Sequence, residues 1–174
     1  MPSIQLSNDL NMHYEIDDFT DPWKPAETIL MLHGNCESGK VWFGWVPHLA
    51  REFKVVRPDM RGYGASTPVP RDFPWTIDVV IDDFIRLMDG LKVEHFHLVG
   101  AKIAGFIARR FAARFPDRVS TLTGFADRGL RDVPGLGDGL VGAGLSLAED
   151  LVGLGAGRGG QPVGGVLEIG RAHV

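Results

Sequence analysis

Three times between residues 28 and 105, a short, mostly apolar run breaks directly into a polar loop that contains glycine. The runs are Thr28–Leu32, Phe53–Val56 and His95–Val99. Each is too short for a helix that must bury one face, and each suits a strand buried on both faces. Helical patterns lie between and after them, at Val41–Arg51, Ile77–Leu91 and Ile103–Ala113. In the second, Ile77, Val80, Ile81, Phe84, Leu87 and Met88 form one apolar stripe, with Asp78, Asp82, Asp83 and Asp89 on the opposite face. Strands alternating with helices predict an α/β fold with a mostly parallel, twisted sheet and helices on both faces. Ligands bind such sheets at the carboxyl ends of the strands, where this chain places its unusual polar residues.

Before the first buried run, Ser3–Ser7 and Asn11–Ile16 alternate apolar and polar residues around Asn8-Asp9, which predicts a half-exposed hairpin. After the third helix, Arg118–Thr123 starts a further strand. A chain of 174 residues fits one domain with a real core. A net charge of −4 without a basic stripe gives no reason to expect nucleic acid as a partner. Arg109, Arg110 and Arg114 read as a solvated helix face. The single cysteine, Cys36, cannot form an internal disulfide and suits a reducing compartment. The amino terminus does not read as a signal peptide, and no apolar run approaches the roughly 20 residues of a membrane span. The expectation is a cytoplasmic protein without membrane contact.

Composition changes sharply near Gly124. Of 23 glycines, 15 lie in residues 124–174, a stretch with no Lys, Trp, Tyr, Met or Asn. So much glycine makes ordering costly, and few large side chains are present to offset it. One reading is a flexible glycine-rich tail. The sharper one is GC-rich DNA translated out of frame, with Glu168–Val174 matching one translation of a sequencing adapter. On either reading the residues from 124 onward are expected to be poorly ordered, as coil or an isolated helix around Ser146–Leu154, and not to complete the sheet.

Three strand-end segments carry the candidate chemistry: Leu32-His33-Gly34-Asn35-Cys36-Glu37-Ser38, Asp59-Met60-Arg61-Gly62-Tyr63-Gly64-Ala65-Ser66, and Val99-Gly100-Ala101-Lys102-Ile103-Ala104-Gly105. In this order, each after an expected strand, they resemble the α/β-hydrolase superfamily. The resemblance is closest to its single-domain lactonase, esterase and dehalogenase-like branches, enol-lactonases included. It covers about residues 3–123 and implies the amino-terminal part of an α/β-hydrolase fold. By that resemblance, the His33-Gly34-Asn35 segment is the oxyanion loop. The backbone N–H groups of Asn35 and Ile103 would be its two donors. His33 is expected to shape the loop, Cys36 to be a buried or partly buried bystander, and Asp59 and Arg61 to fix the second loop.

The third segment departs from the family. The pattern Gly-x-Ser-x-Gly holds a Ser, Asp or Cys nucleophile on a strained strand-to-helix turn. Here Gly100, Ala104 and Gly105 keep the small residues, but Lys102 takes the nucleophile position. Serine and lysine codons differ by more than one base, so a single misread base does not account for it. A helix N-terminus disfavours a cation, and a neutral amine can attack a carbonyl to form a Schiff base. A lysine-dependent carbonyl-acting enzyme therefore stays open beside a degenerate or repurposed site. The acid and histidine that complete the family's triad have no recognisable counterpart, and His173 lies within the suspected adapter.

The resemblance implies a parent that hydrolyses small ester- or lactone-type substrates without a metal or organic cofactor. The chain as written is expected to be inactive. The alternatives are a non-catalytic binding module on the same fold and the lysine-dependent enzyme. All three expect a small-molecule substrate or ligand. Its identity and the oligomeric state are not legible in the sequence.

Overall fold

Thr28–Leu32 (β3) is the middle strand of a seven-stranded sheet, and all five of its residues are buried. The computed structural model describes residues 2–125 and 166–169. Lys54–Pro58 (β4) and Phe96–Ala101 (β5) flank β3 in parallel, with Leu30 opposite Val56 on one side and Leu98 on the other. Val119–Phe125 (β6) continues the parallel set beyond β5. On the far side of β4, Leu10–Asp17 (β2) pairs antiparallel and carries Ser3–Ser7 (β1) as an outer hairpin. The continuous apolar character of β3 follows from burial on both faces. Leu30 and Leu32 point into the larger core, and Ile29 and Met31 into the smaller one.

The larger core lies under two helices. Ile77–Gly90 (α2) starts at Thr76, whose hydroxyl accepts from the Val79 N–H at 3.2 Å. This caps one of the amides that has no intrahelical partner. Val80, Ile81, Phe84, Leu87 and Met88 are buried as the stripe predicts. Ile103–Arg114 (α3) buries Ala104, Gly105, Ile107, Ala108 and Phe111 against the same core. Arg110 and Arg114 reach Asp78 and Asp82 of α2, each at 2.9 Å, so the solvated face expected there also ties the two helices together.

Three expectations need correction. The helix over Val41–Arg51 is instead a 3₁₀ turn at Gly39–Trp42 and a four-residue helix, Val46–Leu49 (α1). Pro47 in the first turn of α1 supplies no N–H to a helix arriving from upstream, and Gly44 weakens the segment before it. Asp83 does not lie on the solvent face of α2; it is buried beside Phe84. Finally, Val166–Ile169 (β7) pairs antiparallel with β6, Leu122 opposite Ile169 and Phe125 opposite Val166. A ladder from the tail to the core was not expected. The edge of β6 offers unpaired backbone groups, which the backbone of residues 166–169 meets. The helix expected at Ser146–Leu154, and His173, to which no triad role was given, lie outside the described residues.

Candidate functional site

The carboxyl ends of β3, β4 and β5 converge, and each contributes one loop. After β3, His33 is fully buried, and its two ring nitrogens have opposite tasks. Nε2 accepts from the Met60 N–H at 2.9 Å, which leaves Nδ1–H to donate to the Gly34 carbonyl at 2.8 Å. Burial pushes the imidazole below its ordinary pKa, favouring the neutral form that this bonding requires. His33 therefore locks the first loop to the second, as expected. The next residues turn sharply. Cys36 adopts a left-handed backbone (φ +58°) and is exposed, so the expectation of a buried or partly buried thiol was wrong. The turn that brings Glu37 back toward Gly34 swings Cys36 outward.

The second loop is held by its own side chains. The Asp59 carboxylate accepts from the Gly39 N–H at 2.7 Å and the Ala65 N–H at 2.8 Å, bridging the segments after β3 and β4. Ser66 donates to the Asp59 carbonyl at 2.7 Å and accepts from the His13 N–H at 2.9 Å. The Arg61 guanidinium grips Asp83 of α2 through two bonds, 2.7 and 2.8 Å, reaches Asp9 at 2.6 Å, and lies over the Phe73 ring. These contacts give Asp59 and Arg61 the loop-fixing work expected of them. They also leave Tyr63 at the rim, edge-on to His33, with its hydroxyl bonded to the Asn35 side chain.

The third loop is a single residue. Between β5 and α3, Lys102 is held at φ +57°, ψ −124°, outside the regions ordinary residues favour. The turn is possible because Gly100 has no side chain. A Cβ there would lie 2.7 Å from the Ala104 carbonyl carbon and 3.0 Å from the Ala108 Cβ. The close approach of strand and helix aims Lys102 at the first loop. A Cβ on Gly34 would stand 3.0 Å from the Lys102 Cδ. Glu37 joins the two: it accepts from the Gly34 N–H at 2.9 Å and forms an ion pair with Lys102 Nζ. The Lys102 contact, foremost, holds the Glu37 carboxyl below its ordinary pKa. Ile103 follows as the first residue of α3, exposed, where a backbone N–H has no intrahelical acceptor.

The structure thus brings Lys102, Ile103 and the Asn35 loop together, as the motif order predicts. The sequence reading assigned no role to Glu37 or Tyr63. The available signal was Glu37 itself, the one acid in the His33–Ser38 loop, facing a lysine in the turn opposite. The ion pair gives Lys102 a partner that the helix N-terminus alone does not suggest. Among the described residues no group of three or more His, Cys, Asp or Glu side chains is placed to hold a metal ion. No helix there is long and apolar enough to cross a membrane.

The chain is similar to known proteins. The family described as alpha/beta hydrolase fold matches residues 27–142, past the change of composition at Gly124. The chain is 36% identical over 97 residues to 2-hydroxymuconate semialdehyde hydrolase from a Pseudomonas species, covering 54% of this chain and 34% of that protein. It is 38% identical over 97 residues to a fluoroacetate dehalogenase from a Burkholderia species, covering 54% of this chain and 32% of the other. Among solved structures, the enol-lactonase from Burkholderia xenovorans superposes with a TM-score of 0.63 at 30% identity, over 70% of this chain and 45% of that one. The chain aligns with about a third of the length of these two curated relatives.

Proposed function

The chain belongs to the alpha/beta hydrolase fold family, and from that premise we propose that it derives from a hydrolase of small ester- or lactone-type substrates whose nucleophile position is held by Lys102. One observation carries the reading. Lys102 sits at φ +57° on the turn between β5 and α3, with its side chain against the loop that begins at His33. The family builds its acyl-transfer site from such a turn and such a loop. In this reading the N–H groups of Asn35 and Ile103 receive the carbonyl oxygen of the ligand. No metal or organic cofactor takes part.

Hydrolysis itself is a different matter. The turn after β5 holds no Ser, Asp or Cys nucleophile, so in this reading the chain as it stands binds without turning over. The Glu37 contact favours this non-catalytic form of the reading over a lysine-dependent enzyme. The test is hydrolysis of p-nitrophenyl acetate by the purified chain, with Lys102→Ala as control. The expected rate equals that of buffer for both. Turnover above buffer that disappears in Lys102→Ala, or a borohydride-trapped adduct on Lys102 with a small ketone, would overturn the non-catalytic assignment.

A further inference from the structure

We infer that Glu37 is the positioning residue of this site, clasping Lys102 onto the Gly34 loop and slowing the reactions of its amine. The inference rests on the reading of Lys102 as the central residue of the site and adds what controls it. The two Glu37 oxygens divide the work: Oε2 accepts from the Gly34 N–H at 2.9 Å, and Oε1 takes Lys102 Nζ. Its side chain is only 17% exposed, whereas that of Lys102 is 62% exposed. Glu37 is therefore the fixed partner and Lys102 the one it anchors. The anchor is itself fixed, because the left-handed turn at Cys36 returns residue 37 over Gly34. Glycine at 34 is part of the device, since a Cβ there would stand 2.8 Å from Oε2 and 3.0 Å from the Lys102 Cδ.

The other groups near the pair do not compete for the lysine. His33 is buried, and both its ring nitrogens are used within the loops. The Tyr63 hydroxyl is bonded to Asn35. Glu37 is thus the anion that both meets Nζ and is tied to the backbone. Releasing it frees the amine and loosens the link between the oxyanion loop and the turn. A mostly exposed ion pair of this kind changes an equilibrium by only a few-fold and is sensitive to salt.

Reductive methylation reads the amine directly. The chain is treated with formaldehyde and a borane reductant at pH 8, and the rate at each lysine is followed by mass spectrometry. Exposed Lys40 and Lys92 serve as internal references. Relative to them, Lys102 should be modified about two- to five-fold faster in Glu37→Gln than in the unmodified sequence. Glu37→Asp should restore part of the protection. Adding salt should speed Lys102 in the unmodified sequence and leave it unchanged in Glu37→Gln. A Lys102 rate indifferent to salt in the unmodified sequence would overturn the inference, and that arm needs no variant to fold. An equal rise at all lysines in Glu37→Gln would overturn it too. The readout uses no ester or lactone, so it stands or falls separately from the proposed substrate class.

Discussion

Replacing Asp83 by alanine should be among the most damaging single changes in the described part of the chain. The Arg61 and Asp83 side chains are 5% and 2% exposed and share two hydrogen bonds of 2.7 and 2.8 Å. Those bonds, above all, raise the Arg61 guanidinium above its already high pKa, so it stays charged when its partner is cut away. Breaking a buried pair by removing one side costs about 3–5 kcal/mol, because the remaining charge is uncompensated. Asp9 remains as a second partner at 2.6 Å, but it is 62% exposed, and screening limits what it can recover. The expected loss is therefore near the lower end, about 3 kcal/mol. Urea unfolding followed by the fluorescence of the four tryptophans measures it. The double change Asp83→Ala with Arg61→Met should recover much of the loss, since an apolar pair can replace a buried ion pair at little cost. A loss under about 1 kcal/mol for Asp83→Ala would mean that the Arg61 charge is compensated without Asp83.

Gly100→Ala should destabilise the chain by about 1–3 kcal/mol or more, because the new Cβ meets the Ala104 backbone at 2.7 Å and that backbone cannot rotate away; urea unfolding checks this, and an unchanged midpoint would mean that β5 and α3 are farther apart. Acid should weaken the first loop by way of His33. Its folded pKa lies below the unfolded 6.5, so its contribution is complete above about 6.5 and shrinks as pH falls toward the folded value. Stability measured between pH 7 and 5 should therefore fall, and part of that slope should vanish in His33→Gln.

Much of the fold was legible because the signals were local. Thr28–Leu32 is unbroken by charge or glycine, and β3 has those same bounds. The α2 stripe named its buried residues because the 3.6-residue period survives without any partner in view. Asp83 was misplaced by residue type: at 3.6 residues per turn it lies beside Leu87 and Val80, at the edge of the stripe, where Arg61, 22 residues away, arrives to pair with it. Val41–Arg51 failed for a local reason underweighted in the sequence, the proline at 47. The tail ladder at Val166–Ile169 was missed because an edge strand is chosen by the free edge of β6, a tertiary property. In the site, Lys102 was found because a strand-to-helix turn with small neighbours has a sequence pattern. Glu37 was not, because its role depends on a left-handed turn at Cys36 that no residue type there announces.

The proposed ligand site, in which the Asn35 and Ile103 amides face a carbonyl oxygen, is open to a residue-by-residue test. Amide ¹H–¹⁵N spectra of the chain titrated with δ-valerolactone test it most directly. Saturable shifts should be largest at Asn35 and Ile103, smaller at Gly34 and Lys102, and absent elsewhere on the sheet. Shifts absent from Asn35 and Ile103 at saturation, or concentrated at the opposite ends of the strands near Glu94 and Asp117, would contradict it.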